Sequence, residues 1–135
     1  MKFVKILGVL VLAYIGLVVA FESWLGYYQP ENTGTLIITT TDADDNRYDR
    51  VLVRIESQNK VYVAVNHWPR AWYYRLLDQP EVKITYNKST TEAVAMPVSG
   101  AEFEQVKSEH SLPMFFRVLT GFPPRRLLRL DPAAP

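Results

Sequence analysis

The chain contains no cysteine, which removes disulfides, thiolate metal sites and cysteine nucleophiles and leaves folding independent of any oxidant. Its only histidines are His67 and His110, and neither His-x-His nor His-Glu-x-x-His spacing occurs. A zinc site would therefore have to draw its other ligands from carboxylates. Charge of one sign is missing too. Fifteen Lys and Arg against fourteen Asp and Glu leave a net charge of +1, so no global field selects nucleic acid or an acidic partner. No internal repeat or low-complexity tract is present. The 135 residues suit one domain of roughly 100 residues once the N-terminal segment is set aside.

That segment is the one long stretch without charge, sixteen residues from Ile6 to Phe21. Counted from Phe3, with Lys5 snorkelling, it makes a helix about 28 Å long, close to the ~30 Å of a bilayer's hydrocarbon core. Trp24, Tyr27 and Tyr28 follow as an interfacial aromatic belt. Lys2 and Lys5 precede it, Glu22 and Glu31 follow it, and no further base occurs before Arg47. Residues 1–28 thus read as a single-pass anchor, or uncleaved signal, in the cell (inner) membrane. The N-terminus is then cytoplasmic and the remainder lies on the outer, periplasmic side. A cleaved signal peptide, with small residues at Val18-Val19-Ala20, competes with this reading, but it leaves the aromatic belt without a purpose. A buried core helix is the third option, opposed by the lack of a polar face.

Residues 29–34 form a polar linker, residues 35–131 a folded domain and residues 132–135 a tail. Thr35 to Thr41 reads as a strand, and Asp42 to Asn46 as a turn whose side chains bond their own backbone. Arg50 to Glu56 alternates, with Val51, Val53 and Ile55 on one face, and Ser57 to Lys60 turns it into Val61–Val65. Pro69 is placed to open a helix that Pro80 ends, with Ala71, Trp72, Leu76 and Leu77 as its stripe. Strands follow at Glu81–Asn87 and Thr90–Val98, where Pro97 marks an edge or an end. Ser99 with Glu102 forms a capping-box signature for a helix toward His110. Leu112 to Leu119 is a further short helical candidate, and Arg125 to Leu130 is the last strand. The order β-β-β-α-β-β-α-β implies a small, partly open barrel, α+β but mainly β, of about six strands with two short helices behind one transmembrane helix.

Four features from Leu36 to Leu130 resemble the deazaflavin-dependent nitroreductase and quinone reductase family. They are Thr39-Thr40-Thr41 before a polar loop and Arg50; the Val51–Val65 hairpin; Ala71-Trp72-Tyr73-Tyr74-Arg75-Leu76-Leu77, like that family's Ala-Trp-Tyr-His-Asn-Leu helix; and Gln79-Pro80-Glu81-Val82, like its Asn-Pro-Glu-Val. The resemblance implies the split β-barrel of the flavin-binding pyridoxamine-phosphate-oxidase-like superfamily. It also implies flavin mononucleotide or a deazaflavin coenzyme as cofactor, and hydride transfer to an electron-poor ring such as a quinone or nitroaromatic. By family position Arg47, Arg50, Asn66, His67, Trp68, Trp72 and Tyr73 would bind the cofactor. Two departures stand out. The family's Gly-Arg-Lys-Ser-Gly-like phosphate loop is replaced by a loop bearing Asp42, Asp44 and Asp45, which repel phosphate, and its Ala-Ser-x-Gly-Gly segment is shortened to Val65–Trp68.

Each candidate has a plainer use. Asn66 can cap a turn, Trp68 and the Trp72–Tyr73–Tyr74 rings can pack, and Arg47, Arg50 and Arg54 can pair with the acidic loop or face solvent. Asp42, Asp44 and Asn46 have the odd spacing of a calcium loop but lack its twelfth-position Glu. Arg117, Arg125, Arg126 and Arg129, beside Met114, Phe115, Phe116 and Phe122, suit anionic membrane lipid as a partner or an ordinary core. A catalytically silent barrel that binds a lipid-like ligand or a membrane-protein partner is the alternative to the oxidoreductase. Superfamily resemblance also implies a homodimer.

Overall fold

A computed structural model of the protein describes residues 1–66 and 68–133. The chain opens with helix α1 (Lys2–Tyr27), long and apolar enough to cross a membrane. Seven strands follow: β1 (Thr35–Thr41), β2 (Arg47–Val53), β3 (Ile55–Ser57), β4 (Lys60–Val65), β5 (Glu81–Tyr86), β6 (Ser89–Pro97) and β7 (Arg126–Pro132). Helix α2 (Ala71–Asp78) lies between β4 and β5; α3 (Gly100–Glu109) and α4 (Met114–Thr120) lie between β6 and β7. The strands form one antiparallel sheet in the order β2-β1-β5-β6-β7-β4-β3.

The connection from β2 to β3 decides the shape. These strands lie at opposite edges of the sheet, yet one residue, Arg54, joins them. A flat sheet of seven strands would hold its edges about 28 Å apart at roughly 4.7 Å per step, and one residue cannot span that. The sheet must curl until its edges approach, and the result is a split β-barrel. The Arg54 N–H donates to the Gly34 carbonyl at 2.9 Å, fixing the crossing.

This crossing corrects the expected single strand from Arg50 to Glu56. The chain breaks at Arg54, and Leu52 faces the core while Val53 is 65% exposed. The alternation of Val51, Val53 and Ile55 therefore does not mark one buried face. The hairpin turn lies where expected: Gln58 and Asn59 both have positive φ, at 49° and 63°, the geometry of a primed two-residue turn. Asn87 and Lys88 repeat it between β5 and β6.

Two cores result. Leu36, Ile38, Leu52, Val63, Val65, Val82, Ala93, Ala95, Leu128 and Leu130 fill the barrel, and Trp72 and Leu76 of α2 close it. On the outer face Ile55, Tyr62 and Leu127 pack under Val106 of α3. This is why β4 is apolar on both faces. Helix α2 starts at Ala71 with Arg70 as its N-cap, so Pro69 precedes the helix instead of opening it. Ser99 does cap α3 by position, but its side chain makes no capping bond.

Glu102 is used elsewhere. It accepts from the Tyr62 hydroxyl at 2.7 Å and from Arg129 Nη1 at 2.9 Å, and Arg129 also donates to Asp131. The Tyr62 phenol, desolvated and hydrogen-bonded to Glu102, is pushed up to about 12. Bonds from Tyr62 and Arg129 hold the Glu102 carboxyl below its ordinary value of 4.5. A depressed carboxylate adds stability that is present above its unfolded value and lost as pH falls through its folded one. Glu102→Gln is therefore expected to cost about 1 kcal/mol at neutral pH. In urea titrations at several pH values, its gap from the parent chain should close below about pH 4.5.

Candidate functional site

The split between the barrel's edges is where the side chains of chemical interest gather. Helix α1 ends there, and its last carbonyls carry the negative end of the helix dipole. Arg50 on β2 meets them: Nη1 donates to the Gly26 carbonyl at 3.0 Å and Nη2 to Leu25 at 3.1 Å. Arg70, just before α2, donates to the Glu22 carbonyl and, at 3.1 Å, to its carboxylate. The Trp68 N–H donates to the other Glu22 oxygen. The Val51 N–H, at an open sheet edge, donates to Gln29 Oε1 at 3.0 Å. The end of α1 is thus built into the barrel.

Beside these contacts lies a cavity of about 240 Å³ between β2 and the start of α2, lined by Gln29, Tyr48, Asp49, Arg50, Arg70, Ala71, Trp72 and Arg75. Three guanidinium groups face one carboxylate, and Asp49 already accepts from Thr39. Arg50 Nε, Arg70 Nε and the indole N–H of Trp72 are buried with no partner in the protein, although Trp72 is only 3% exposed. Such donors are costly to leave unmet, and the three arginines that line the cavity suit an anionic ligand. Burial, then the like charge of Arg70, lowers the pKa of Arg50. Arg75 donates from Nε to Thr40 at 3.0 Å and lies 3.9 Å from the Tyr48 ring centre. Its guanidinium packs over that ring at the cavity wall.

A second cavity of about 390 Å³ adjoins at Gln29 and Arg50 and occupies the split itself. Its lining is mainly apolar, with Leu25 and Tyr28 from the end of α1, Val51 and Leu52 from β2, and Leu112 and Phe116 beside Asn66. Together the two chambers present a cationic end and an apolar end, the pattern of an anionic molecule carrying a ring or chain.

The expected cofactor residues divide. Arg50 and Trp72 come together in the cationic cavity, and Asn66 lines the apolar one, where it accepts from Arg125 Nε at 2.9 Å. Arg47 goes to the far end of β2, in a separate 180 Å³ cavity with Glu81 and Glu92. Trp68 sits at the seam with α1. Tyr73 packs edge-on against Trp72 and Tyr74 and lines neither chamber. His67 lies outside the described residues.

The acidic loop does not pair with these arginines. Asp42 accepts from the backbone of Asp44 and Asn46 and from the Asn46 and Tyr48 side chains. Desolvation raises its pKa, but those bonds outweigh it and leave the carboxyl below its usual range. With both oxygens committed to its own loop, Asp42 offers no cradle for phosphate. Arg54 pairs with Glu56 and covers the Tyr86 ring. Sequence reading missed Arg70, Arg75 and Tyr48. Arg75 was within reach, since it follows Trp72 by three residues and shares its helix face; Arg70 meets Arg50 only through the barrel's closure.

No family model and no curated protein matches the chain. Solved structures do match. The heme storage protein HutZ from Vibrio cholerae is 21% identical, with a TM-score of 0.60 over 77% of this chain and 84% of its own. An F420-H2 dependent reductase is 16% identical, with a TM-score of 0.60 over 77% of this chain and 99% of its own. A putative pyridoxamine 5'-phosphate oxidase from Listeria innocua is 10% identical, with a TM-score of 0.52 over 87% and 94%. The chain has the split-barrel fold. These likenesses carry the fold and no further.

The grip on α1 can be measured. Arg70→Ala leaves the Glu22 carboxylate, whose side chain is 12% exposed, without its cation, and is expected to cost about 2 kcal/mol in detergent-solubilised protein. Arg54→Ala, which breaks a pair with a largely exposed Glu56 and uncovers the Tyr86 ring, should cost about 1 kcal/mol in the same denaturation series.

Proposed function

We propose that the protein is a membrane-anchored split-barrel oxidoreductase that holds an anionic, ring-bearing cofactor of the flavin or deazaflavin class in the two adjoining chambers. The observation that carries this reading is the set of three arginines, Arg50, Arg70 and Arg75, that line one cavity against a single carboxylate, Asp49. They fit a phosphate or carboxylate, whereas the Asp42 loop does not, so the anionic group would be held by β2 and the start of α2. The F420-dependent reductase among the structural neighbours supports the cofactor class. When bound, such a cofactor supplies hydride to an electron-poor ring, a quinone or nitroaromatic. The chain's own part is to hold the anionic end with Arg50, Arg70 and Arg75 and to exclude water with the apolar wall of Leu25, Val51 and Phe116. The reading includes an uncleaved α1, an N-terminus in the cytoplasm and a barrel on the periplasmic side.

A second reading is favoured by one observation: the outer nitrogens of Arg50 already hold α1 carbonyls. In that case the apolar chamber serves a lipid-like ligand and the barrel is catalytically silent.

Titrating flavin mononucleotide and the deazaflavin coenzyme into full-length protein in detergent separates the two. The oxidoreductase reading expects micromolar binding of one cofactor, weakened about tenfold by Arg75→Gln, which removes one charge from the cavity wall. Binding of neither cofactor would sink the oxidoreductase reading.

A further inference from the structure

Helix α1 does not leave the barrel cleanly. Besides the grip at its end, its middle is attached to α4. The Tyr14 hydroxyl donates to the Val118 carbonyl at 2.7 Å, the Phe21 and Phe116 rings meet edge-on at 5.9 Å, and Gly121 lies against Val18 closely enough that a Cβ there would come within 3.2 Å of it.

These contacts fix the depth of α4 if α1 spans a bilayer. A hydrocarbon core of about 30 Å takes about twenty helical residues, which from Phe3 ends at Glu22, the first acid of the chain. Tyr14 then lies near mid-core, and Val18 and Phe21 lie in the half nearer the barrel. The helix below Tyr14 is only about 18 Å long, too short to cross alone. A spanning α1 therefore carries α4 into the leaflet with it.

The exposed face of α4 is suited to that place. Met114, Phe115 and Val118, with Phe122 just beyond, are 63%, 67%, 38% and 57% exposed. Met114, Phe115 and Val118 lie at helical spacing and form an apolar face that the protein leaves uncovered, and Phe122 follows the left-handed cap at Gly121. At its border stand Arg117 and Arg125. Burial, then the charge of Arg117, lowers the pKa of Arg125, whose Nε donates to Asn66 and whose Nη1 is buried without a protein partner. Among the described residues neither arginine makes an ion pair. Two adjacent guanidinium groups beside an apolar face match the order of a leaflet: acyl chain, then phosphate.

We propose that α4 and Phe122 are embedded in the acyl region of the leaflet facing the barrel, with Arg117 and Arg125 on the phosphates of anionic lipid. This rests on the reading of α1 as a membrane anchor. The barrel is then seated in the membrane surface, with the apolar chamber, walled by Leu112 and Phe116, close to the acyl chains.

The absence of cysteine makes the test direct. Ile6→Cys, Phe115→Cys and Asn59→Cys, each carrying an NBD fluorophore, are reconstituted as full-length protein in nanodiscs whose lipids bear nitroxide on the acyl chain. The Ile6 and Phe115 positions should be quenched strongly, and Asn59, at the β3–β4 turn, hardly at all. Quenching at Ile6 but not at Phe115 would overturn the embedding of α4 and leave the anchor standing. No quenching at any position would overturn both. For the phosphate contacts, spin-labelled phosphatidylglycerol should quench the Phe115 label about fivefold more effectively than spin-labelled phosphatidylcholine. Arg117→Gln with Arg125→Gln should abolish that preference. Equal quenching by the two lipids in the parent sequence would remove Arg117 and Arg125 from the proposal.

Discussion

One residue, Arg54, carries the chain from one edge of a seven-stranded sheet to the other, and much else follows from that constraint. A link so short forces the edges toward each other, so the sheet cannot stay open. Closure turns the inward side chains of β1, β4, β5, β6 and β7 into one core, with α2 as its plug. Yet the edges meet without hydrogen-bonding as a ladder, and a barrel closed by a covalent link alone keeps a gap. Edge strands left bare invite pairing with other chains. Here the edge of β2 is covered from within: Gln29 takes the Val51 N–H, and the end of α1 lies over the gap.

That covering explains the use of Arg50, which the sequence offers as a phosphate ligand or a solvated charge, and of Arg70, which the sequence does not single out. Helix C-terminal carbonyls carry a partial negative charge, and Glu22 adds a full one. Arg50 and Arg70 meet both, by hydrogen bonds from half-buried positions, and this geometry is worth more than an exposed pair. The arginines are not used up. Both also line the cavity that Arg75 borders, so one pair of cations holds α1 on one side and walls a cavity on the other.

The architecture was legible where local signals are strong. The apolar run of α1, the primed turn at Gln58-Asn59, the Trp72 helix and the apolar strands β4, β5 and β7 all declare themselves by period or turn chemistry. The errors share a cause. Val51, Val53 and Ile55 alternate correctly for one strand, but the chain changes sheet edge between the last two, and nothing local announces a long-range crossing. Ser99 and Glu102 have capping-box spacing, but Glu102 is drawn off by Tyr62 and Arg129, which lie forty and twenty-seven residues away. The candidate site suffered most, because Arg50, Arg70 and Arg75 become neighbours only when β2 and α2 are brought together by closure.

The end of α1 also bears on whether the N-terminal segment is retained. Cleavage after Ala20 would keep Glu22, Leu25 and Gly26, and with them the contacts of Arg50 and Arg70. It would remove Tyr14 and Val18, leaving the Val118 carbonyl without its donor and Gly121 without its neighbour. Helix α4 would then present apolar surface on both sides, with Met114, Phe115 and Val118 already exposed outward. A seven-residue helix so exposed has little to hold it in water, since short helices depend on packing. In the proposed embedding the same helix lies between α1 and lipid, apolar where its surroundings are apolar. One side of α4 is thus covered by α1, which makes the N-terminal segment a structural part of the domain.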